Sequence, residues 1–199
     1  MHDDPSRLDL LSGDDPCWLI DPIDGTINFA HGLPLFAIML ALIDRREVVA
    51  AWIYDPVHDH MAMAERGAGA FFDGARVHLS PPPDLAHSIG CLHLPREDTE
   101  MAAHMGRNRH RYGPELILHC AGIEYQTFLR DRLHFAVYHR TKPWDHAPGT
   151  LILAEAGGHA AHIDGRAYDI LAPDQRVPLL VAAGEGTWQA ARDALFPAD

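Results

Sequence analysis

Three apolar runs, residues 35–43, 48–54 and 60–64, follow one another with only "DRRE" and "DPVHD" between them. Both spacers are turn-like, and a chain that reverses so soon pairs each run with its neighbour. This predicts three sheet strands in a meander. Gly67, Gly69 and Gly74 then mark turns around the short segment "AFF". Upstream, "CWLID" reads as a buried strand ending at Asp21, because Pro22 has no amide with which to continue a ladder. Residues 1–16 are polar and punctuated by Pro, Gly and Asp, which suits a surface approach. The prolines at 81–83 are the strongest boundary signal, so the chain divides into parts 1–83 and 84–199.

The second part has a different rhythm. "HSIGCLHL" predicts a strand and "PREDTEMAAHMGRNR" a helix. "ELILHCAGIEYQTFLRD" supports a helix over its later residues, and "LHFAVYH" a strand. "DHAPGTLILAEAGG" predicts a helix with Asp145 as N-cap, Pro148 near its first turn and a stop at Gly157–Gly158. "HAAHIDG" and "PLLVAAG" read as strands, and "TWQAARDALF" as a closing helix. Strands alternating with helices after residue 85 imply an α/β part behind a more antiparallel one.

Composition narrows the function classes. The 199 residues are 47% hydrophobic and 22% charged, which is globular rather than disordered. The net charge is −12 and Lys142 is the sole lysine, a poor match to an extended nucleic-acid backbone. A small phosphorylated metabolite remains compatible, because divalent cations reverse the local sign of a carboxylate site. Cys17, Cys91 and Cys120 show no CxxC spacing and read as small buried hydrophobes. No HExxH or consistent histidine pair occurs, so His31, His119, His139 and His146 give no zinc assignment. Neither a signal-type start nor a membrane-length apolar window is present, and the expectation is a soluble, cytoplasmic protein.

Chemistry concentrates in "WLIDPIDGTINF", residues 18–29. Asp21 and Asp24 flank Pro22 and Ile23, and an irregular turn there can aim both carboxylates and the Ile23 carbonyl at one point. Hard cations such as Mg²⁺ take oxygen ligands of this kind. Gly25 and Thr26 follow, where backbone amides opening a short helix can receive phosphate. An Asx turn with a capping threonine explains the same residues. One turn also offers too few ligands, so a distant carboxylate is required, and Asp145 in "KPWDHAPG" is the candidate.

Taken together, "WLIDPIDGTINF" and "PWDHAPGTLILAEAGG" resemble the two signature motifs of the inositol monophosphatase family, Mg²⁺-dependent phosphatases related to fructose-1,6-bisphosphatase. "MAMAERGAGAFFDGARVHLS" is similar to the family's strand-turn stretch between them. The resemblance runs from Trp18 to the C-terminus. It implies a layered αβαβα sandwich, with an α+β part followed by a smaller α/β part. It also implies a Mg²⁺-dependent phosphomonoesterase, possible homodimerisation, and histidinol phosphate or a 3′-phosphoadenosine nucleotide as alternative substrates. A non-catalytic relative that binds metal or phosphate is the other alternative.

By the same resemblance, Asp21 bridges two metals, the Ile23 carbonyl serves the first, and Asp24 and Asp145 serve the second. Gly25 and Thr26 contact phosphate, with Thr26 orienting the attacking water. Asp24 and Asp145 approach substrate hydroxyls, and Ala121 in "HCAG" offers a backbone contact. Trp18 and Trp144 pack behind the metal-bearing turns. Two departures stand out. Family members carry a further N-terminal segment with a Glu-Glu pair, one member of which is a ligand. Counting back from Asp21 by the family spacing reaches Met1, so the chain is expected to begin where that ligand would stand, with Asp3 and Asp4 as the nearest acidic residues. Inositol-selective members place an acidic residue six before the motif tryptophan, whereas here stands Tyr138, a weaker acceptor for sugar hydroxyls.

Overall fold

The computed structural model describes residues 11, 13–93, 99–170 and 177–196, with the side chains of 99–101 excepted. Asp3 and Asp4 lie outside the described residues. Six strands form the first sheet in strict sequence order: β1 (Cys17–Asp24), β2 (Ala37–Asp44), β3 (Glu47–Asp55), β4 (His60–Glu65), β5 (Gly69–Phe72) and β6 (Ala75–Val77). Every neighbouring pair is antiparallel, so the meander extends through six strands rather than three. A five-residue helix, α1 (Thr26–Ala30), sits between β1 and β2.

Alternation along β2 fixes which face is inside. Ala37, Met39, Ala41 and Ile43 are buried, while Ile38, Leu40 and Leu42 are half-buried on the other face. Each large inward side chain, such as Met39 or Ile53, contributes roughly 1.5–3 kcal/mol by leaving water. The other face remains apolar as well as accessible. Trp18 pairs across from Leu42 and Ile20 from Leu40, and the two β1 side chains are 56% and 53% exposed. Trp18 therefore does not pack behind a metal-bearing turn as expected. It is placed outward by the two-residue period of an edge strand, with its ring against Trp52 at 5.7 Å.

The second sheet has the order β7-β8-β10-β9, built from β7 (Gly90–His93), β8 (Phe135–Tyr138), β9 (His159–His162) and β10 (Leu179–Ala182). Only β7 and β8 are parallel, and α2 (Thr99–Arg107) and α3 (Ala121–Phe128) lie between them in the chain. The closing helix, α5 (Glu185–Leu195), packs Trp188 and Leu195 with Phe135 and Leu180.

Between β8 and β9 runs α4 (Pro143–Glu155), which packs across β2, β3 and β4 of the first sheet. The helix begins three residues earlier than the sequence predicts. Pro143 occupies its first position, where a missing amide costs nothing, and Lys142 becomes the N-cap. Asp145 is consequently a residue of the first turn, not the cap. Gly149 meets α3 at the closest approach: a Cβ there would stand 2.1 Å from the Tyr125 ring. One continuous core joins Met39 and Ile53 of the first sheet to Tyr125, Phe128, Leu179 and Val181. The result is an α/β sandwich, an antiparallel sheet followed by a smaller mixed sheet with helices.

Candidate metal centre and its cavity

A strand that alternates regularly would send residues three apart to opposite faces. Asp21 pairs with Met39 but Asp24 pairs with Ala37, so β1 spends three steps where β2 spends two. The strand does not stop at Asp21; it carries a bulge at Pro22 and Ile23 and resumes. A bulge inserts one residue and changes the parity, which turns Asp21 and Asp24 to the same side. Pro22 is tolerated because β1 is an edge strand. The Ile23 amide donates to Asp21 Oδ1 at 3.0 Å, and Thr26 Oγ1 donates to the Ile23 carbonyl at 3.2 Å.

Gly25 then turns the chain. Its φ of 81° is left-handed, and a Cβ would stand 2.8 Å from the Leu35 carbonyl oxygen and 3.0 Å from Cys120 Cβ. Asn28 holds the far end of the turn. Its Nδ2 donates to the carbonyls of Leu35 and Leu118, both at 2.8 Å, which joins this turn to the segment leading into α3. Thr26 is exposed, and Ala121 opens α3 at the cavity wall.

The first turn of α4 carries Asp145 to the same place. One carboxylate oxygen from each of Asp21, Asp24 and Asp145 lies within 4.8 Å of the others. Asp24 is buried, and its Oδ2 accepts from the Gly122 amide at 2.6 Å and the Cys120 thiol at 3.1 Å. Burial pushes its pKa up to about 6, with Asp21 and Glu124 adding repulsion while the Gly122 and Cys120 bonds resist. Asp145 is raised further, by burial first and then by the charges of Asp24 and Asp21, with Lys142 opposing. Three carboxylates in so small a space cannot all ionise without a compensating charge. An all-oxygen donor set fits a hard divalent cation such as Mg²⁺, which needs carboxylates of this kind.

Asp24 and Asp145 line a cavity of about 500 Å³. His93, His119, His139 and Arg140 supply much of its polar wall, with Ile27, Leu92 and Ile117 between them. His146, beside Asp145, is buried and committed elsewhere: Nε2 donates to the Arg140 carbonyl at 2.8 Å and Nδ1 accepts from Tyr125 Oη at 3.1 Å. Burial lowers its pKa to about 4, so its ring is neutral.

Sequence reasoning missed Glu124. It is fully buried on α3, accepting from the Leu118 amide (3.1 Å) and Tyr138 Oη (2.9 Å) and lying 2.8 Å from His93 Nε2. Burial alone would raise its pKa, but the His93, Tyr138 and Leu118 bonds outweigh that and hold it below the ordinary value. Tyr138 thus spends its hydroxyl on an internal carboxylate. Cys91 Sγ stands 3.3 Å from His93 Nε2, and Cys91, His93 and Glu124 form a second group consistent with a divalent-metal site. Cys91 and Cys120 are buried as expected but are not inert filler, since each touches a charged or titratable partner. A Glu in a predicted helix beside a strand reading "CLH" gave no local sign of that meeting.

Fold and site define a layered α/β protein with an oxygen-donor centre where the first sheet meets α3 and α4. The signature of the inositol monophosphatase family matches residues 5–195, and the chain belongs to that family. It is 37% identical over 152 residues to a fructose-1,6-bisphosphatase/inositol-1-monophosphatase of Thermotoga maritima, an alignment covering 76% of this chain and 59% of that protein. Among solved structures, Thermotoga maritima IMPase superposes with a TM-score of 0.78 at 32% identity, covering 92% of this chain and 67% of the other. The extragenic suppressor protein suhB of Bartonella henselae gives 0.84 at 27% identity, covering 92% and 70%. Among the described residues no helix is long and apolar enough to cross a membrane.

Proposed function

We propose that this chain carries the catalytic centre of a Mg²⁺-dependent phosphomonoester hydrolase acting on a small phosphorylated alcohol or sugar. The observation that carries the reading is the convergence of Asp21, Asp24 and Asp145, from segments more than a hundred residues apart, beside a cavity that Asp24 and Asp145 line. In this reading Asp21, Asp24, Asp145 and the Ile23 carbonyl hold Mg²⁺. Gly25 and Thr26 face the phosphate, and Ala121 touches the substrate through its backbone. Bound Mg²⁺ supplies the charge that draws phosphate in and acidifies water for in-line attack. The protein's own part is to bring the three carboxylates to one point for the cation, orient the phosphate at the Gly25 turn, and exclude bulk water.

Substrate choice falls to the rest of the cavity. The Thermotoga relative is named for both fructose 1,6-bisphosphate and inositol 1-phosphate, and a Staphylococcus aureus relative at 26% identity binds inositol monophosphate. With the Tyr138 hydroxyl donating to Glu124, that position offers an inositol hydroxyl a phenol oxygen instead of a carboxylate, a weaker acceptor. The Arg140 guanidinium in the wall disfavours a cationic alcohol such as histidinol. The test is phosphate release from inositol 1-phosphate, fructose 1,6-bisphosphate, 3′-phosphoadenosine 5′-phosphate and histidinol phosphate, with and without Mg²⁺. The expected result is Mg²⁺-dependent release that falls at least ~10²-fold in Asp145→Asn, a neutral amide being a poor hard-cation ligand. Turnover in EDTA, or full activity in Asp21→Asn, would overturn the reading.

A further inference from the structure

Cys91 and His93 are two apart on β7, so their side chains share one face, and α3 lays Glu124 over that face from 31 residues away. The donors are a thiol, an imidazole and a carboxylate. Their ligand atoms lie within 4.8 Å of one another, with 3.3 Å from Sγ to Nε2 and 2.8 Å from Nε2 to Oε2. This is a different chemistry from the all-carboxylate centre. A hard cation such as Mg²⁺ takes oxygen ligands and avoids thiolate, whereas Zn²⁺ accepts sulfur, nitrogen and oxygen together.

We infer that Cys91, His93 and Glu124 form a second metal site, selective for a borderline-soft divalent cation of the Zn²⁺ class and open at its fourth position to the cavity. Zn–S of about 2.3 Å and Zn–N or Zn–O of about 2.0 Å in a tetrahedron place donors roughly 3.3–3.6 Å apart. The present spacing is slightly tighter, so His93 must withdraw by about half an ångström, which a wall residue with a quarter of its side chain exposed can do. Binding displaces two protons, that of the Cys91 thiol, which leaves to solvent, and the one His93 Nε2 points at Glu124, which leaves to solvent or passes to Nδ1, while Glu124 is already held as a carboxylate.

Two features beyond the donors match what metal sites need. The ligating carboxylate is itself oriented, by Tyr138 Oη at 2.9 Å and the Leu118 amide at 3.1 Å. The imidazole plane is fixed by stacking on Tyr138, with centroids 5.1 Å apart and planes at 17°. Of the three donors His93 lines the cavity, so a fourth position on its side opens there, as in a reactive rather than a closed structural site. An oxygen of whatever occupies the cavity can take that position.

Co²⁺ titration of the 199-residue chain, with Mg²⁺ in excess to fill the carboxylate centre, tests the assignment without reference to turnover. We expect one equivalent of Co²⁺ to give tetrahedral d–d bands with a thiolate-to-cobalt charge-transfer band, bleached by one equivalent of Zn²⁺. Cys91→Ser should lose the charge-transfer band, and His93→Ala should lose the tetrahedral spectrum, both with an unchanged far-UV circular dichroism spectrum. If Cys91→Ser does not fold, His93→Ala and the wild-type titration decide. No charge-transfer band in the wild type, a band that survives Cys91→Ser, or an unaltered spectrum in His93→Ala would overturn the site. Failure of the phosphatase reading would leave these spectra unchanged.

Discussion

Asp24 serves two partners at once: Oδ2 receives the Gly122 amide and the Cys120 thiol, and the carboxylate still reaches Asp21 and Asp145. That position makes it a proton-linked residue. Its folded pKa of about 6 stands above an unfolded value of ~3.9, so the folded state binds more protons between the two. Without metal, stability is therefore full below the unfolded pKa and falls as pH rises towards and through 6, by about 3 kcal/mol in all. Mg²⁺ must displace those protons, so its affinity should climb over the same interval and its stabilising effect should be larger at pH 8 than at pH 5. Thermal melts in EDTA and in saturating Mg²⁺ across pH 4–8 check this; a Mg²⁺ shift in melting temperature equal at both ends would contradict it. Gly25 is the second residue-scale case. Gly25→Ala faces both a left-handed φ and the Leu35 carbonyl, backbone that cannot rotate aside, and should cost about 1–3 kcal/mol in a urea melt. A midpoint unchanged from wild type would show that the turn relaxes.

At the scale of elements, α4 does most of the joining. Its first turn presents Asp145, its middle meets Tyr125 at Gly149, and its last residue reaches the β4–β5 turn. There Glu155 accepts from the Gly67 and Gly69 amides at 2.8 and 2.9 Å. A carboxylate near a helix C-terminus opposes the dipole, and the two amide bonds are what offset that cost. Glu155→Ala should therefore loosen the β4–β5 turn rather than unfold the chain. The expected outcome is faster amide exchange at Gly67 and Gly69 with a stability loss of about 1–2 kcal/mol. Protection at those amides equal to wild type would show that the turn stands without the helix. Gly149→Ala is the harsher change, because an added methyl meets the Tyr125 ring and must push α3 and α4 apart; a loss of ~1–3 kcal/mol is expected, read as an earlier urea midpoint.

For the whole molecule, the first sheet is covered by α4 on one face and carries Trp18, Ile20, Leu40, Trp52 and Met63 on the other. Adjacent apolar side chains on neighbouring strands make a patch rather than scattered exposures. Sedimentation at rising protein concentration should show self-association of the 199-residue chain, and Ile20→Lys should weaken it without lowering the melting temperature. A chain monomeric at all concentrations, or one whose association ignores Ile20→Lys, would remove the role given to this face.

Local features carried a large part of the result. Turn residues between apolar runs were enough to order the meander, and the proline after Asp21 was enough to signal an irregularity there, because φ restriction and a missing amide act within a residue or two. Asp21, Asp24 and Asp145 were legible as a group only through the two motifs. What remained hidden depended on distance in the chain. The bulge register that changes the parity of Asp24 and the meeting of Cys91, His93 and Glu124 both arise from pairing and packing between segments. A buried carboxylate such as Glu124 is tolerable only when partners converge on it, and its own neighbours in sequence, Ile123 and Tyr125, say nothing of that. Strands, turns and the oxygen-rich motifs are written in the residues themselves, since they follow from local sterics and apolar patterning. Which side chains share a cavity is set by the packing of β7, α3 and α4, and no one segment contains that.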